Sequence, residues 1–197
     1  MTRFTLEEVG WEPRLPPVET ASATPAQLAA LEACPPAQRH SVYFRTLVHD
    51  PASLGERGAL FTKVMYAPRG LPRAERELAT AVVSIVNGCV YCASVHARRY
   101  VELSRQEAVM RALLEHGIEV QGLEPRQQAI VAYAASLTRN PAAATAAELA
   151  PLRKAGLSDL EILDLIHAVA MFANANRLMQ ALGRSLPPDG GEGSAPA

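Results

Sequence analysis

The chain has 197 residues, of which 49% are hydrophobic and 20% are charged, a composition typical of an ordinary globular protein. Its formal net charge is −1 and its basic clusters are as short as Arg98-Arg99, so we expect no nucleic-acid partner, which would require a basic stripe. The odd number of cysteines, three, argues against the disulfide framework of a small secreted domain.

The N-terminal segment has no apolar core of the kind that a signal peptide carries. The most apolar run, Leu78 to Val95, is about as long as a membrane-spanning helix, but Asn87-Gly88 interrupts it. Two helices joined by a turn fit this run better than one membrane span. We therefore expect a cytoplasmic protein without membrane contact. In that reducing compartment a close cysteine pair is redox-active or metal-binding rather than structural.

Residues 1–23 are predicted to form an extended N-terminal arm, because they include Pro13, Pro16 and Pro17. The arm carries apolar side chains that would let it dock on its own domain or on a neighbouring subunit: Phe4, Val9 and Trp11. At the other end, residues 185–197 have the composition of a disordered tail.

The intervening residues, 24–184, are predicted to form one all-α domain. Capping boxes begin helices at Thr24, Ser104 and Ser158. No run of alternating β-branched residues predicts a strand. The predicted helices are 24–33, 36–48, 53–66, 72–87, 89–103, 105–116, 124–139 and 146–182, the last of them broken near Gly156.

The most informative segment follows the predicted break between two of these helices. If a helix begins there, Cys89, Cys92 and His96 project within a roughly 60° arc of one face. The free N–H groups and the dipole at a helix N-terminus favour a thiolate over a thiol. The preceding helix turns back at the same break and returns Glu77 to this neighbourhood, where its carboxylate would orient the imidazole and raise its basicity.

These residue types predict a redox site. A thiolate would attack the O–O bond of a peroxide, the imidazole would protonate the departing alcohol, and the second cysteine would capture the sulfenic acid. Structural zinc needs four ligands and only Cys34 and scattered histidines remain, so we expect no metal. Haem attachment fails because Ala93 follows Cys92, and a thioredoxin domain would need a βαβ pattern. Spacing and charge alone do not choose which cysteine attacks.

The pattern Glu77-x11-Cys89-x2-Cys92-x3-His96 resembles the signature of the alkylhydroperoxidase D-like (AhpD-like) family, within the carboxymuconolactone decarboxylase superfamily. The residues around this signature are similar to those of the peroxidase-related proteins, one branch of the family. They read Arg76-Glu77-Leu78 and, further on, Asn87-Gly88-Cys89-Val90-Tyr91-Cys92. The resemblance covers about residues 50–182. It implies an AhpD-like helical bundle in which the CxxC motif begins a helix of an antiparallel helix pair.

The same resemblance implies a role for each residue of the signature. Cys92 would be the peroxidatic cysteine and Cys89 the resolving one, while Glu77 and His96 would form the proton relay. Tyr91 stands where better-known members carry a histidine. Its hydroxyl would donate a hydrogen bond at the site, or its ring would pack at the corner between the two helices.

Residues Phe172 to Arg177 resemble a second segment of the family, with Ala173 in place of its first asparagine. Asn176 and Arg177 would line the site or bridge helices, and the structural role is favoured. His167 would approach the site or lie in the core, which is the commoner outcome for a histidine. Cys34 is expected to be a small buried hydrophobe.

The function that the resemblance implies is a cofactor-free thiol peroxidase that reduces organic hydroperoxides or hydrogen peroxide. Its electrons would come from a dithiol donor such as dihydrolipoamide or a thioredoxin-like protein, and the chain would form a homo-oligomer. Two alternatives stay open. One is a non-redox lactone decarboxylase of the same superfamily, which does not need two cysteines. The other is a non-catalytic redox-sensing protein.

Overall fold

The computed structural model of the chain describes residues 4–188. Its α-helices are, in chain order, α1 (Pro25–Glu32), α2 (Pro36–Arg39), α3 (Val42–Leu47), α4 (Pro51–Tyr66), α5 (Arg73–Val86), α6 (Val90–Ser104), α7 (Glu107–His116), α8 (Pro125–Arg139), α9 (Ala150–Lys154) and α10 (Asp159–Leu182). Short 3-10 turns lie at 20–22, 117–119, 141–143 and 146–149. The predicted all-α fold class is confirmed. No helix within residues 4–188 is both long enough and apolar enough to cross a membrane.

Side-chain caps explain where several helices begin. Thr24 and Ser158 form the predicted capping boxes of α1 and α10. The Asp50 carboxylate accepts a hydrogen bond from the Ser53 backbone N–H at 3.1 Å and so begins α4. The predicted break before α10 lies at Gly156, whose φ of 84° ends α9.

Two predicted helix boundaries are wrong. Ser104 is the last residue of α6 rather than the cap of the next helix, because Arg105 takes the left-handed conformation (φ 62°) that ends α6. The Ser104 hydroxyl instead donates to the Tyr100 carbonyl at 2.7 Å. The single helix predicted over 36–48 is two helices, since the extended backbone of Ser41 (ψ 132°) separates α2 from α3.

The core is organised around α5. Every residue from Arg76 to Ser84 is buried, and the helix packs against α6, α8 and α10. The Arg76 guanidinium is hydrogen-bonded inside the protein through its terminal nitrogens, which donate to the Val64 carbonyl at 2.9 Å and to the Asp164 carboxylate at 2.9 Å, while its Nε has no partner among residues 4–188. Arg76 therefore ties α4 and α10 to the first turns of α5, the helix that also carries Glu77.

A two-stranded antiparallel sheet joins the two ends of the described chain. β1 (Gly10–Pro13) pairs with β2 (Gly183–Leu186), with Gly10 opposite Leu186 and Pro13 opposite Gly183. The sequence pattern did not predict these two strands, because a strand of four residues is too short to show a clear alternation of apolar and polar side chains. The N-terminal arm thus docks on its own chain.

The structure also bears on the predicted C-terminal tail, 185–197. Residues 185 and 186 lie in β2 and are paired with the N-terminal arm, so the regular structure extends past the predicted boundary. Residues 189–197 of the predicted tail lie outside the described residues.

Candidate active site

The turn between α5 and α6 determines where the cysteines lie. Gly88 has a φ of 71°, which favours glycine, and the Cys89 backbone N–H donates to the Ser84 carbonyl at 2.9 Å to close the turn. Cys89 is consequently the N-cap residue of α6, Cys92 lies in its first turn, and His96 lies one turn further along. The three residues therefore stand at a helix start.

Glu77 meets His96 across the contact between α5 and α6. Its Oε2 lies 2.5 Å from His96 Nδ1, and its Oε1 accepts a hydrogen bond from Arg73 Nε at 2.7 Å. Burial opposes ionisation of this fully buried carboxyl, but His96 and Arg73 outweigh that effect and lower the pKa of Glu77. The structure thus brings together the two residues of the predicted relay, with Glu77 as the ionised carboxylate.

Arg73 is a residue of this cluster that the sequence analysis missed. It lies one helical turn before Glu77 and is, beside His96, the second hydrogen-bond partner of the carboxylate. Its guanidinium also lies over the Tyr66 ring, with Cζ 3.8 Å from the ring centroid. The sequence feature that could have identified Arg73 is its i,i+4 spacing from Glu77, because residues at this spacing are neighbours on a helix.

The orientation of the His96 ring is held from two sides. Glu77 occupies its Nδ1, which leaves Nε2 as the nitrogen available for proton exchange. The ring packs edge-on against Phe172, with centroids 4.2 Å apart and an interplanar angle of 79°. A ring fixed in this way can present one nitrogen steadily to a reacting group.

Cys89 and Cys92 are both free thiols and both are buried, with exposed fractions of 2% and 5%. A hydrogen bond from the Cys92 thiol is the main cause that lowers the pKa of Cys89, and it outweighs the opposite effect of burial. The same bond, together with burial, raises the pKa of Cys92 well above its ordinary value. These opposite shifts make Cys89 the more acidic of the two thiols.

Asn176 both bridges helices and lies beside the thiols. Its fully buried amide donates to the Ser84 hydroxyl at 3.1 Å and accepts from the Asn87 amide at 3.1 Å, which joins α10 to the end of α5. Hydrogen bonding from Asn176 also lowers the pKa of both Cys89 and Cys92. Asn176 thus helps to stabilise negative charge on either sulfur.

Of three other residues that the sequence singled out, Cys34 lines a cavity beside the thiols, whereas Arg177 and His167 do not. Arg177 turns away from the thiols and donates to the Ala173 carbonyl, one turn back on α10, at 2.8 Å. His167 is exposed on α10, so neither the core position nor the approach to the site is correct. Cys34 is buried as predicted, and its thiol donates to the Ala30 carbonyl at 3.3 Å.

A cavity of about 780 Å³ lies beside the cysteine pair. Its lining includes Cys92, His96 and Tyr91 but not Cys89. Burial raises the pKa of Tyr91, whose hydroxyl therefore stays protonated and able to donate. Much of the remaining wall is apolar and includes Phe44, Leu54, Phe61, Phe172 and Met179. Of the two paired cysteines, Cys92 is the one that a small molecule in the cavity would meet.

Within residues 4–188, no group of three or more His, Cys, Asp or Glu side chains is placed so that it could hold a metal ion. The site itself contains two thiols, an imidazole, a carboxylate, and the amide and hydroxyl donors around them. These groups can support thiol–disulfide chemistry, in which the two thiols give up two electrons to form a disulfide and the imidazole transfers protons.

Comparisons with known proteins agree with this fold. Residues 54–116 match the carboxymuconolactone decarboxylase family, whereas no curated protein matches the chain in a sequence search. The chain is similar to the crystal structure of a peroxidase-related protein from Silicibacter sp. TM1040, at 25% identity and a TM-score of 0.71, over 87% of this chain and 92% of that one. It is also similar to a peroxidase-related protein with an alkylhydroperoxidase AhpD core from Ralstonia eutropha JMP134, at 23% identity and a TM-score of 0.73, over 86% and 90%.

A third similar structure is that of a debrominase, at 16% identity and a TM-score of 0.67, over 86% of this chain and 90% of that one. The same fold therefore serves more than one reaction. The matched family residues include the whole segment from Glu77 to His96. The chain has the AhpD-like all-α fold, and its resemblance to the AhpD-like, peroxidase-related proteins of the carboxymuconolactone decarboxylase superfamily is confirmed.

Proposed function

We propose that this protein is a thiol peroxidase that reduces organic hydroperoxides or hydrogen peroxide through the Cys89/Cys92 dithiol. The observation that carries the proposal is the buried Glu77–His96 pair, whose imidazole lies one helical turn from Cys92 and lines the same cavity. A cysteine, an oriented base and an enclosed space for a small molecule are the parts that peroxide reduction by a thiol requires. The peroxidase-related structures of similar fold support the same reaction.

The first step is attack by Cys92. Because the pKa of Cys92 is raised, its thiol carries a proton at neutral pH and needs a base, for which His96 Nε2 is the available group. The Cys92 sulfur then attacks the distal peroxide oxygen, the O–O bond breaks, and the departing alkoxide takes the proton from His96. The products are an alcohol and a Cys92 sulfenic acid, so the sulfur is oxidised by two electrons and the peroxide is reduced by two.

The second step is capture by Cys89. Its lowered pKa makes it the better nucleophile toward the neighbouring sulfenic acid, and displacement of water forms the Cys89–Cys92 disulfide. An external dithiol, of the dihydrolipoamide or thioredoxin-like class, would return the disulfide to two thiols. No bound cofactor takes part in this scheme, which we place in the cytoplasm and in a homo-oligomer.

The test is a peroxide-consumption assay on the wild type and three cysteine variants. We expect Cys92→Ser to abolish turnover, and Cys89→Ser to allow a single oxidation that leaves a sulfenic acid detectable by mass spectrometry. Cys34→Ser is the matched control and should keep wild-type turnover, because Cys34 lines the same cavity but its thiol is hydrogen-bonded to its own helix, and it is not a neighbour of His96 on α6. A first oxidation in Cys92→Ser as fast as in the wild type would contradict the assignment of the attacking cysteine.

The same assay separates the alternatives. One stoichiometric oxidation of the wild type without turnover, in the presence of a dithiol donor, would favour a redox sensor. Turnover of a lactone carboxylate that is unchanged in Cys89→Ser and Cys92→Ser would favour a decarboxylase. Because a debrominase shares the fold, a brominated aromatic compound with the same donor is the comparison substrate.

A further inference from the structure

The charges that line the cavity are all of one sign. Four basic side chains contribute to its wall: Arg57, Lys63, Arg98 and Arg99. No aspartate or glutamate between residues 4 and 188 does. A largely apolar space with a purely positive charged lining favours a ligand that combines an apolar body with negative charge.

Of these four cations, Arg57 and the exposed Lys63 make no salt bridge within residues 4–188. Arg99 is 2.7 Å from Glu102, and Arg98 is 3.9 Å from Glu8. Arg57 makes no salt bridge to any residue between 4 and 188, and its buried Nε has no hydrogen-bond partner there. Since a buried guanidinium N–H is normally satisfied, this donor is available to something that the cavity holds.

Tyr43 supplies a second unsatisfied donor at the same place. Its side chain is 7% exposed, it lines the cavity, and its hydroxyl proton has no acceptor among the described residues, although Arg57 lies close to the hydroxyl oxygen. Burial raises the pKa of Tyr43 to about 12, so the hydroxyl remains protonated. The Arg57 guanidinium carbon lies 5.8 Å from the centroid of the Tyr43 ring, which puts the two donors side by side.

Packing holds the guanidinium in position. Its carbon also lies 5.8 Å from the Phe44 centroid and 5.9 Å from the Phe61 centroid, so aromatic rings of α3 and α4 surround it. The charge of Arg57 lowers the pKa of Cys92, which shows that it acts on the same space as the reactive sulfur. The cavity therefore has a donor-rich end at Arg57 and Tyr43, and a reactive end at Cys92 and His96.

We propose that Arg57 and Tyr43 bind a carboxylate, and that the substrate class is an organic hydroperoxide with an apolar body and a carboxylate group. A carboxylate accepts two hydrogen bonds from a guanidinium and a third from a phenol, so it satisfies both orphaned donors at once. The apolar lining between the two ends would cover the hydrocarbon part. This substrate assignment rests on the proposed peroxidase function, whereas the carboxylate site itself does not.

The experiment measures binding without turnover. Calorimetric titration of the Cys92→Ser variant with laurate, and with methyl laurate as the uncharged counterpart, compares ligands that differ in the carboxylate. We expect Arg57→Gln to weaken laurate binding by about tenfold or more, and Tyr43→Phe to weaken it by a smaller factor, with no change for the ester. Arg111→Gln is the matched control: it removes one exposed arginine charge outside the cavity wall, and laurate affinity should stay the same.

The outcomes distinguish the two proposals. Equal affinity for laurate and methyl laurate, or equal laurate affinity with and without Arg57→Gln, overturns the carboxylate site even if the protein reduces peroxides. Laurate binding that depends on Arg57 and Tyr43, in a protein that reduces no hydroperoxide, supports the carboxylate site and removes the peroxidase function. Tyr43→Phe deletes one hydroxyl and keeps the ring, so it tests the site even if Arg57→Gln does not fold.

Discussion

At the scale of single residues, the site depends on how one buried charge is balanced. Glu77 is fully buried, and it remains ionised because Arg73 and His96 each take one of its oxygens. The folded-state pKa of Glu77 is lowered, so this arrangement stabilises the fold at pH values above the pKa that the carboxyl has in the unfolded chain. The contribution is lost as the pH falls through the folded-state pKa.

We expect Glu77→Gln to lower the free energy of unfolding at pH 7 by about 3 kcal/mol, because it leaves Arg73 without its buried partner. The variant should also lose stability less steeply than the wild type on acidification below about pH 4.5, since the titrating group is gone. Urea titrations at several pH values measure both effects.

Glu107→Gln is the matched control for this experiment. Glu107 makes an exposed pair with Arg111 at the same i,i+4 spacing, so the change should stay within about 0.5 kcal/mol. Parallel acid-side slopes for the wild type and Glu77→Gln would show that the Glu77 cluster does not contribute to stability as described.

At the scale of elements, the loop between α4 and α5 determines where α5 begins. Gly70 in this loop has a φ of 72°, and a Cβ added there would lie 1.9 Å from Asp164 Oδ2. That carboxylate accepts hydrogen bonds from the Leu71 backbone N–H at 3.0 Å and from Arg76 at 2.9 Å. The absence of a side chain at Gly70 therefore lets α10 hold the loop and α5 together.

We expect Gly70→Ala to destabilise the fold much more than Gly122→Ala. Both glycines have positive φ, so both alanine variants carry the backbone cost of about 1 kcal/mol. Gly122 has open space around it, whereas Gly70→Ala must also displace the Asp164 carboxylate from buried Arg76, which adds about 3 kcal/mol. Thermal unfolding followed by circular dichroism compares the two, and equal losses would contradict the role of Asp164.

At the scale of the whole molecule, the paired chain ends close one side of the dithiol. Trp11 packs against the cluster that contains Cys89, Cys92 and Met179. Its indole N–H donates to the Met179 carbonyl at 3.1 Å, and its ring lies edge-on to Tyr43, with centroids 5.4 Å apart. The N-terminal arm thus covers the thiols from outside while the cavity leads to Cys92.

We expect Trp11→Ala to increase the rate at which iodoacetamide modifies Cys89 and Cys92 together, because removal of the indole opens this cover. The lost burial should cost on the order of 2 kcal/mol in unfolding free energy. Leu15→Ala is the control, since Leu15 lies on the same arm and is 49% exposed, and its alkylation rate should match the wild type. Peptide mass spectrometry measures each cysteine, and unchanged rates in Trp11→Ala would show that the arm does not cover the thiols.

Local features of the chain were sufficient to predict the helices and the centre of the site. Capping side chains and helix-breaking glycines act over three or four residues, so they are visible in the sequence wherever they occur. The spacing of Cys89, Cys92 and His96 is equally local, and Glu77 lies only one helix turnaround away from them. The capping box predicted at Ser104 was wrong because the Ser104 hydroxyl donates to the Tyr100 carbonyl on the preceding turn.

What required the tertiary structure was every contact made across distant parts of the chain. Asn176 reaches the thiols from α10, Trp11 covers them from the N-terminal arm, and Arg57 on α4 lines the same cavity as Cys92. The hydrophobic periodicity and the residue spacing of the sequence do not predict such contacts, because the contacts depend on how the helices pack around α5. The sequence alone therefore determined that a dithiol, a base and a carboxylate stand together at a helix start. The packing decided which sulfur faces the cavity and which thiol is the more acidic, because burial and hydrogen-bond partners are properties of the folded chain.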